Sequence, residues 1–555
     1  MASLTPKTGV LGKRLAAHLL RRTTFGATRA EIDNFASKTV DAAVNDLLTF
    51  PPIPLPPVDP ATNMTWVVNG RNGANSPNDE LMLVVGSWWL HQNFDATQPI
   101  SAMQKIFFFL HTSFVTGYQD VEYSENHYYT LRLLLHYVDK SYKELAKKVC
   151  LDNGMNDYLD IGESSKGNPN ENFVREFFEL FTIGKGPTIG PGDYTTFTED
   201  DVRSAARLMT GFRRNDSWAD PLLWDVDTGL PRAERDPGNH DETDKAFSAA
   251  FQDQIILGRN TDAGMQLEVD EFVDMIFAQQ ATAKEIVRRL YRFFISYRVT
   301  QEIEDDIITP LSLTLIANNY VMVPVISQLL KSQHFYDDDD SDNTDELIGA
   351  QIKSPLELQI GMMRFFDLTP PDPLLLPFDA YINFYRWGMQ EPLTEACFEL
   401  FNPPEVAGYQ PIYQAPEFNR LWISAKSLPA RYALADVHIG TNNMLLNFDL
   451  LTWVQQATNI TDYAGADPAG TPGPHPGARI GSHLVRELVD YLLPEPIDQA
   501  RFDYFLIEIL LDNLSEMNWM NEWDNYLVSG DETNVRPQIE KLVRALLQSP
   551  EYQLG

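Results

Sequence analysis

Cysteine is almost absent: Cys150 and Cys397 are the only two in 555 residues. So few exclude a disulfide framework and a thiolate zinc site, and their apolar neighbours predict buried free thiols. Long apolar runs are also missing. No stretch reaches the ~18 residues that a membrane-crossing helix needs, so no membrane span is expected. Positive charge is scarce, with 43 Lys plus Arg against 78 Asp plus Glu and a net charge of −35. Such a surface repels nucleic acid and anionic lipid and argues against both as partners, and it also suits solubility or a salty habitat. The opening Met1-Ala2-Ser3-Leu4-Thr5-Pro6-Lys7 lacks the basic start and apolar core of a secretory signal. No G-x-S-x-G elbow, H-E-x-x-H pair or G-x-x-x-x-G-K-[ST] loop occurs, which removes the commonest hydrolase, zinc-protease and nucleotide signatures.

What is present describes a globular protein: 44% hydrophobic and 11% aromatic residues in a chain long enough for a large core. The apolar spacing is helical along most of its length. Helices are expected over 81–94, 100–116, 123–137, 142–150, 281–297 and 482–493, with no series of alternating β-branched strands. The expected fold is therefore mainly α, a large multi-helix globular fold with long irregular loops. Residues 1–212 form an N-terminal helical part and 213–260 an irregular excursion rich in Asp, Gly and Pro. A helical part over 261–440 and a C-terminal unit over 441–555 follow, all within one fold. Stretches 281–336 and 482–553 end alike, in Leu329-Leu330-Lys331-Ser332 and Leu546-Leu547-Gln548-Ser549. This predicts one helical unit used twice. Helix 281–297 sets a basic face (Lys284, Arg288, Arg289, Arg292) against an apolar one. Pro51 to Pro57 reads as a polyproline connector. The run Asp337–Glu346 lacks the glycine and spacing of an EF-hand and reads as a solvated acidic loop.

One segment carries more than the rest. Asn168-Pro169-Asn170-Glu171 has the form of a helix start, and Gly184 that of a C-terminal cap. At 100° per residue Glu171, Asn172, Arg175, Glu176 and Glu179 share one arc, opposite Phe173, Val174, Phe177, Phe178, Leu180 and Phe181. That polar stripe is either a site or a solvated face laced with Glu171–Arg175 and Arg175–Glu179 pairs.

The same segment resembles the signature N-E-N-x-A-R-E-x-x-E-L-F-T-x-G of the large bacterial family called domain of unknown function 1800. Other stretches match that family in order: Ala17-His18-Leu19-Leu20-Arg21-Arg22-Thr23-Thr24-Phe25-Gly26, Phe109-Leu110-His111-Thr112-Ser113-Phe114, and Tyr194 with Thr198 to Phe212. His240-Asp241 with Lys245, Ile352-Lys353-Ser354-Pro355, Gly388-Met389-Gln390 and Pro403-Pro404-Glu405-Val406-Ala407-Gly408 complete the resemblance. Ser113 departs from the pattern, which has a second histidine there, and so weakens any transferred metal site. The resemblance implies a fold but no activity. It also implies that relatives are often exported, and suggests a sulfatase-like protein as companion.

The candidate site residues are thus Glu171, Arg175, Glu176, Glu179, His240, Asp241 and Lys245. His111, Glu176, Glu179, His240 and Asp241 are candidate ligands of a divalent metal, since oxygen and imidazole donors suit magnesium, manganese, zinc or iron. The alternative is that Arg175 and Lys245 pair with these carboxylates as a structural network. Two function classes follow. The expected one is a structural or interaction component, a homo-oligomer or partner-bound protein, with the Pro51–Pro57 connector and the Trp-containing 213–230 stretch as its contact surfaces. The other is a metal-assisted hydrolase acting on an extracellular polymer or ester.

Overall fold

Apolar periodicity becomes packing directly in the helix Asn78–His91. It is apolar on nearly every side, and Leu81, Val84, Val85, Trp88 and Trp89 are all buried, as a helix through the middle of a core requires. Tyr142–Val149 is the opposite case. It buries Tyr142, Leu145, Ala146 and Val149, is capped by the Ser141 hydroxyl, and sends Lys147 and Lys148 outward to Asp274 and Asp225. The computed structural model describes residues 2–67, 74–215, 218, 220–340, 346–441, 445–457 and 477–555. It is 55% helical and 5% strand, so the chain is mainly α. Among the described residues no helix is long and apolar enough to cross a membrane. One contiguous apolar cluster runs from Leu11 to Tyr552, with Trp89 at an aromatic crossing: Phe25 at 5.5 Å, Phe107 at 5.5 Å and Phe401 at 5.0 Å.

The signature segment starts later than its sequence suggests. Asn168 sits in a turn, donating its N–H to Ser165 O at 2.8 Å, and helix begins at Asn172 with no side-chain cap. The Glu171 carboxylate reaches forward to Arg175 instead of back to the Asn168 N–H, and the Asn170 side chain accepts the Asn172 N–H at 2.9 Å. After Glu176 the helix widens into a π-turn, Phe177–Phe181, which lets Phe177, Phe178 and Phe181 all point inward. Gly184 does close it: at φ +74° it donates its N–H to Phe178 O at 2.9 Å. A side chain there would also meet Glu285 Cγ at 3.1 Å.

Residues 281–336 and 482–553 share an order of elements. The first runs Gln280–Phe294, Gln301–Ile303 continuing as π-turn Glu304–Ile308, Thr309–Ala317, Val323–Leu330 and the single turn His334–Tyr336. The second runs Gly481–Leu492, Gln499–Asp503 continuing as π-turn Tyr504–Leu510, Glu516–Ser529, Val535–Leu547 and the single turn Glu551–Gln553. The excursion holds short antiparallel pairs, Phe212–Arg213 with Glu234–Arg235 and Lys245–Ala246 with Ile255–Ile256. Its indoles turn inward: Trp218 Nε1 donates to Asn126 Oδ1 and Trp224 Nε1 to Trp218 O, both at 2.9 Å. Leu222 and Val226 face outward in their place. Cys150 is buried as expected, but Cys397 is exposed, on a residue at φ +63° that ends a helix and turns its neighbours, not its own thiol, into the core. Of the acidic loop, residues 341–345 lie outside the described residues; Asp337 accepts the Leu347 and Ile348 N–H groups at 2.8 and 3.0 Å.

Asp152 gives the fold a pH dependence. It caps Asn153–Tyr158, accepting the Met155 N–H at 2.8 Å and the Thr130 hydroxyl at 2.6 Å, and is 5% exposed. Burial outweighs both bonds and pushes its carboxyl up to about 6. A carboxyl that holds its proton better folded than unfolded contributes stability fully below the unfolded value of ~3.9 and loses it as pH rises through about 6. Asp152→Asn keeps the cap and removes the titration. Between pH 4 and 7 the wild type is therefore expected to lose about 2–3 kcal/mol relative to this variant. Urea unfolding at the two pH values measures it, and parallel behaviour of the two proteins would refute it.

Candidate functional site

Glu171, Arg175, Glu176 and Glu179 of the polar stripe are half-buried, Asn172 is exposed, and the charged members take different partners. Arg175 grips Glu199 through both terminal nitrogens (2.7 and 3.0 Å) and Glu171 at 2.9 Å. These carboxylates hold the guanidinium above its ordinary range, Glu199 contributing most. Glu176 is pushed up, first by burial and then by Glu179. Glu179 receives Lys185 Nζ at 2.6 Å and is the stripe residue that faces a cavity.

The loop candidates go elsewhere. His240 is buried, with Nδ1 at 2.8 Å from Thr210 O and Nε2 at 3.2 Å from Glu268 Oε1. Lys245 Nζ lies 2.6 Å from Glu268 Oε2, both side chains fully buried. Asp241 faces Arg207 (3.4 Å) and accepts the Thr243 N–H at 2.9 Å. Glu268, on helix Asp262–Phe277, thus gathers His240 and Lys245, and none of the three bonds a stripe residue. His111 is wholly buried beside Phe401, ring centroids 4.9 Å apart, and burial pushes it down to about 4 against a backbone contact at Thr116. Its neighbour His127 is pushed down to about 3 by burial and by His111. Both rings are neutral at physiological pH. Among the described residues no three or more His, Cys, Asp or Glu side chains group to hold a metal ion. The residues therefore do not fit one.

The cavity beside Glu179 has a volume of about 230 Å³. Segments far apart in sequence build it. The first helix, Gly12–Thr23, ends just before Phe25, which reaches the wall because Gly26 lies against the Gly361 backbone; a Cβ on Gly26 would stand 2.6 Å from Gly361 Cα. Helix Met103–Ser113 contributes Lys105, Phe108, Phe109 and Ser113. Gln280–Phe294 contributes Glu285, Arg289, Arg292 and Phe293, and helix Pro355–Phe365 contributes Glu357 and its cap Ser354. Val406, Ala407, Asn419 and Trp422 close the far side.

Most charges on this wall are paired. Lys105 makes a short ion pair with Glu357, its ammonium 4.7 Å from the Phe25 ring centroid and 5.5 Å from that of Phe293. Glu357 also accepts the Ser354 N–H at 2.6 Å and hydroxyl at 2.8 Å. Burial alone would raise its carboxyl; Lys105 and Ser354 together hold it below the ordinary range. Arg289 lies 3.4 Å from Glu285, and Arg288 grips Glu304 with two bonds of 2.8 Å. Burial would lift Glu285 too, and Arg289, Arg288 and Arg292 outweigh it. Two side chains are left over. Arg292 lies over the Phe418 ring at 4.9 Å with its buried Nε unpartnered, and Asn419, 8% exposed, has no partner for either amide atom. Neither is among the candidate site residues of the sequence; Arg292 carries a signal there, as part of the basic face on 281–297, and Asn419 carries none.

The family described as Protein of unknown function (DUF1800) matches residues 18–554, nearly the whole chain. No curated protein and no solved structure matches it.

Proposed function

We propose that this chain, which belongs to the DUF1800 family, is a small-molecule-binding protein whose ligand occupies the cavity beside Glu179. One observation carries the reading: five of the segments behind the family resemblance meet at this void, while Tyr194 to Phe212, His240 to Lys245 and Gly388 to Gln390 lie outside its lining. Phe25, Ser113, Glu179, Ser354 and Ala407 each come from a different one of them and all line it. A largely apolar void with a few convergent polar groups is the usual form of a ligand site. At about 230 Å³ it lies below the ~300–1,000 Å³ of drug-sized pockets, so the ligand is small. Metal-assisted hydrolysis draws less support, since Glu176, Glu179, His111, His240 and Asp241 form no common ligand set.

The test is a thermal-shift screen of small organic compounds against the wild type and Ala407→Trp, which fills the void. A ligand of the cavity raises the midpoint by mass action in the wild type and not in the variant. If no compound separates the two proteins, the proposal is wrong.

A second reading, self-association or docking of a partner protein, draws on the surface. Leu55 in the proline-rich connector is 74% exposed and shares a groove with Leu374, while Leu375, Leu376 and Phe378 beside it are also exposed. Light scattering is expected to give a mass above 63.0 kDa that falls on Leu375→Glu. A monomer in the wild type would refute self-association.

A further inference from the structure

The cavity's leftover groups say what kind of molecule would satisfy it. Glu179 is matched by Lys185, Glu285 by Arg289 and Glu357 by Lys105, so each acid on the wall has its own cation. Arg292 has no such partner. Its guanidinium stacks on Phe418, no carboxylate or carbonyl bonds it among the described residues, and its Nε is buried and unpartnered. A buried donor left unsatisfied is destabilising, and more so when it is charged. Asn419, more than nine-tenths buried, adds an amide whose N–H and C=O are both open. In a chain of net charge −35, a cation in an apolar void that feels the field of Glu285 but bonds no acid points to an anionic ligand.

The surroundings narrow that anion. Glu285 and Glu357 on the same wall disfavour a second negative charge, which favours a carboxylate over a phosphate dianion. An adjoining chamber of about 460 Å³ shares Tyr297, Ile352 and Asn419 with this cavity and sets Asp337, Asp339, Asp340, Glu302 and Glu346 against Arg298 and Arg420. This excess of acids disfavours an anion there and favours the Arg292 side for the carboxylate. The remaining wall is aromatic and aliphatic, with Phe108, Phe293, Ile412 and Trp422 among its members.

Resting on the cavity reading above, we infer that the ligand is a small monocarboxylic acid with an apolar body, its carboxylate held by Arg292 and Asn419. Arg292 supplies a forked, permanently charged donor set and Asn419 one further N–H.

Titration calorimetry with octanoate, octan-1-ol and octylamine separates the possibilities, because the three share a body and differ in the head. Octanoate is expected to bind the wild type roughly tenfold to a hundredfold more tightly than octanol. Arg292→Met should bring octanoate down to the level of octanol and leave octanol unchanged; Arg292→Lys should fall between; Asn419→Leu should weaken octanoate alone. Circular dichroism checks that each variant is folded, and the Asn419 variant stands in if Arg292→Met is not. Octanol or octylamine binding as well as octanoate, or octanoate indifferent to both positions, would overturn the carboxylate inference and leave the cavity reading standing. Failure of all three compounds to bind, or binding untouched by Ala407→Trp, would overturn the cavity reading with it.

Discussion

Lys245→Met is expected to destabilise the fold by about 3–5 kcal/mol, the cost of stripping the cation from a buried ion pair. Glu268 is fully buried and is held by Lys245 at 2.6 Å, His240 at 3.2 Å and the Arg259 N–H at 2.5 Å. Lys245 also donates to Asp241 O, so its loss frees the loop as well. The double variant Lys245→Met/Glu268→Gln removes both charges while the glutamine oxygen still accepts from His240 and the Arg259 N–H, and it should recover most of that loss. Urea unfolding of the three proteins reads this directly. A catalytic role for Lys245 predicts the reverse, a single variant of near-normal stability, and that outcome would restore His240, Asp241 and Lys245 as site candidates.

How much of this was visible in the sequence depended on the kind of signal. Helices with a one-sided or all-round apolar pattern were legible to within a few residues, as in 142–150 against Tyr142–Val149 and 123–137 against Ser124–His136. Irregular helix was not. Nothing in Phe177-Phe178-Glu179-Leu180-Phe181 announces a π-turn, because its inward phenylalanines look the same on an α-helix, and the turn alters which side chains share a face. The apparent start at Asn168 failed because Glu171 had a stronger partner, Arg175, than the backbone N–H it was expected to cap. In sequence the polar stripe forms one unit, yet of its members only Glu179 reaches the cavity, since Arg175 is drawn to Glu199, a residue no local pattern connects to it. Asn419 could not be found at all. Its importance is that nothing bonds it, and an unmet hydrogen bond is visible only in three dimensions.

Lys105→Met is expected to cost about 3 kcal/mol, the lower end of the range for a broken buried pair, because a quarter of the Glu357 side chain still opens to the cavity and Ser354 still bonds it. Adding Glu357→Gln should recover most of this: glutamine keeps the capping-box geometry at the start of Pro355–Phe365 while removing the stranded charge. The double variant then bears on function with little stability penalty. Lys105 sits over Phe25 and Phe293, on a stretch of wall that would meet a ligand's apolar body, whereas Arg292 lies over Phe418 with no anion of its own. If Arg292 is the anchor, the double variant should bind octanoate within a few-fold of the wild type, since the thioether side chain introduced in place of Lys105 forms one flank of an already apolar bed. A double variant that folds normally and no longer distinguishes octanoate from octanol would move the anchor to Lys105. The cation that matters would then be the one already holding Glu357, and the ligand would have to displace that carboxylate to bind.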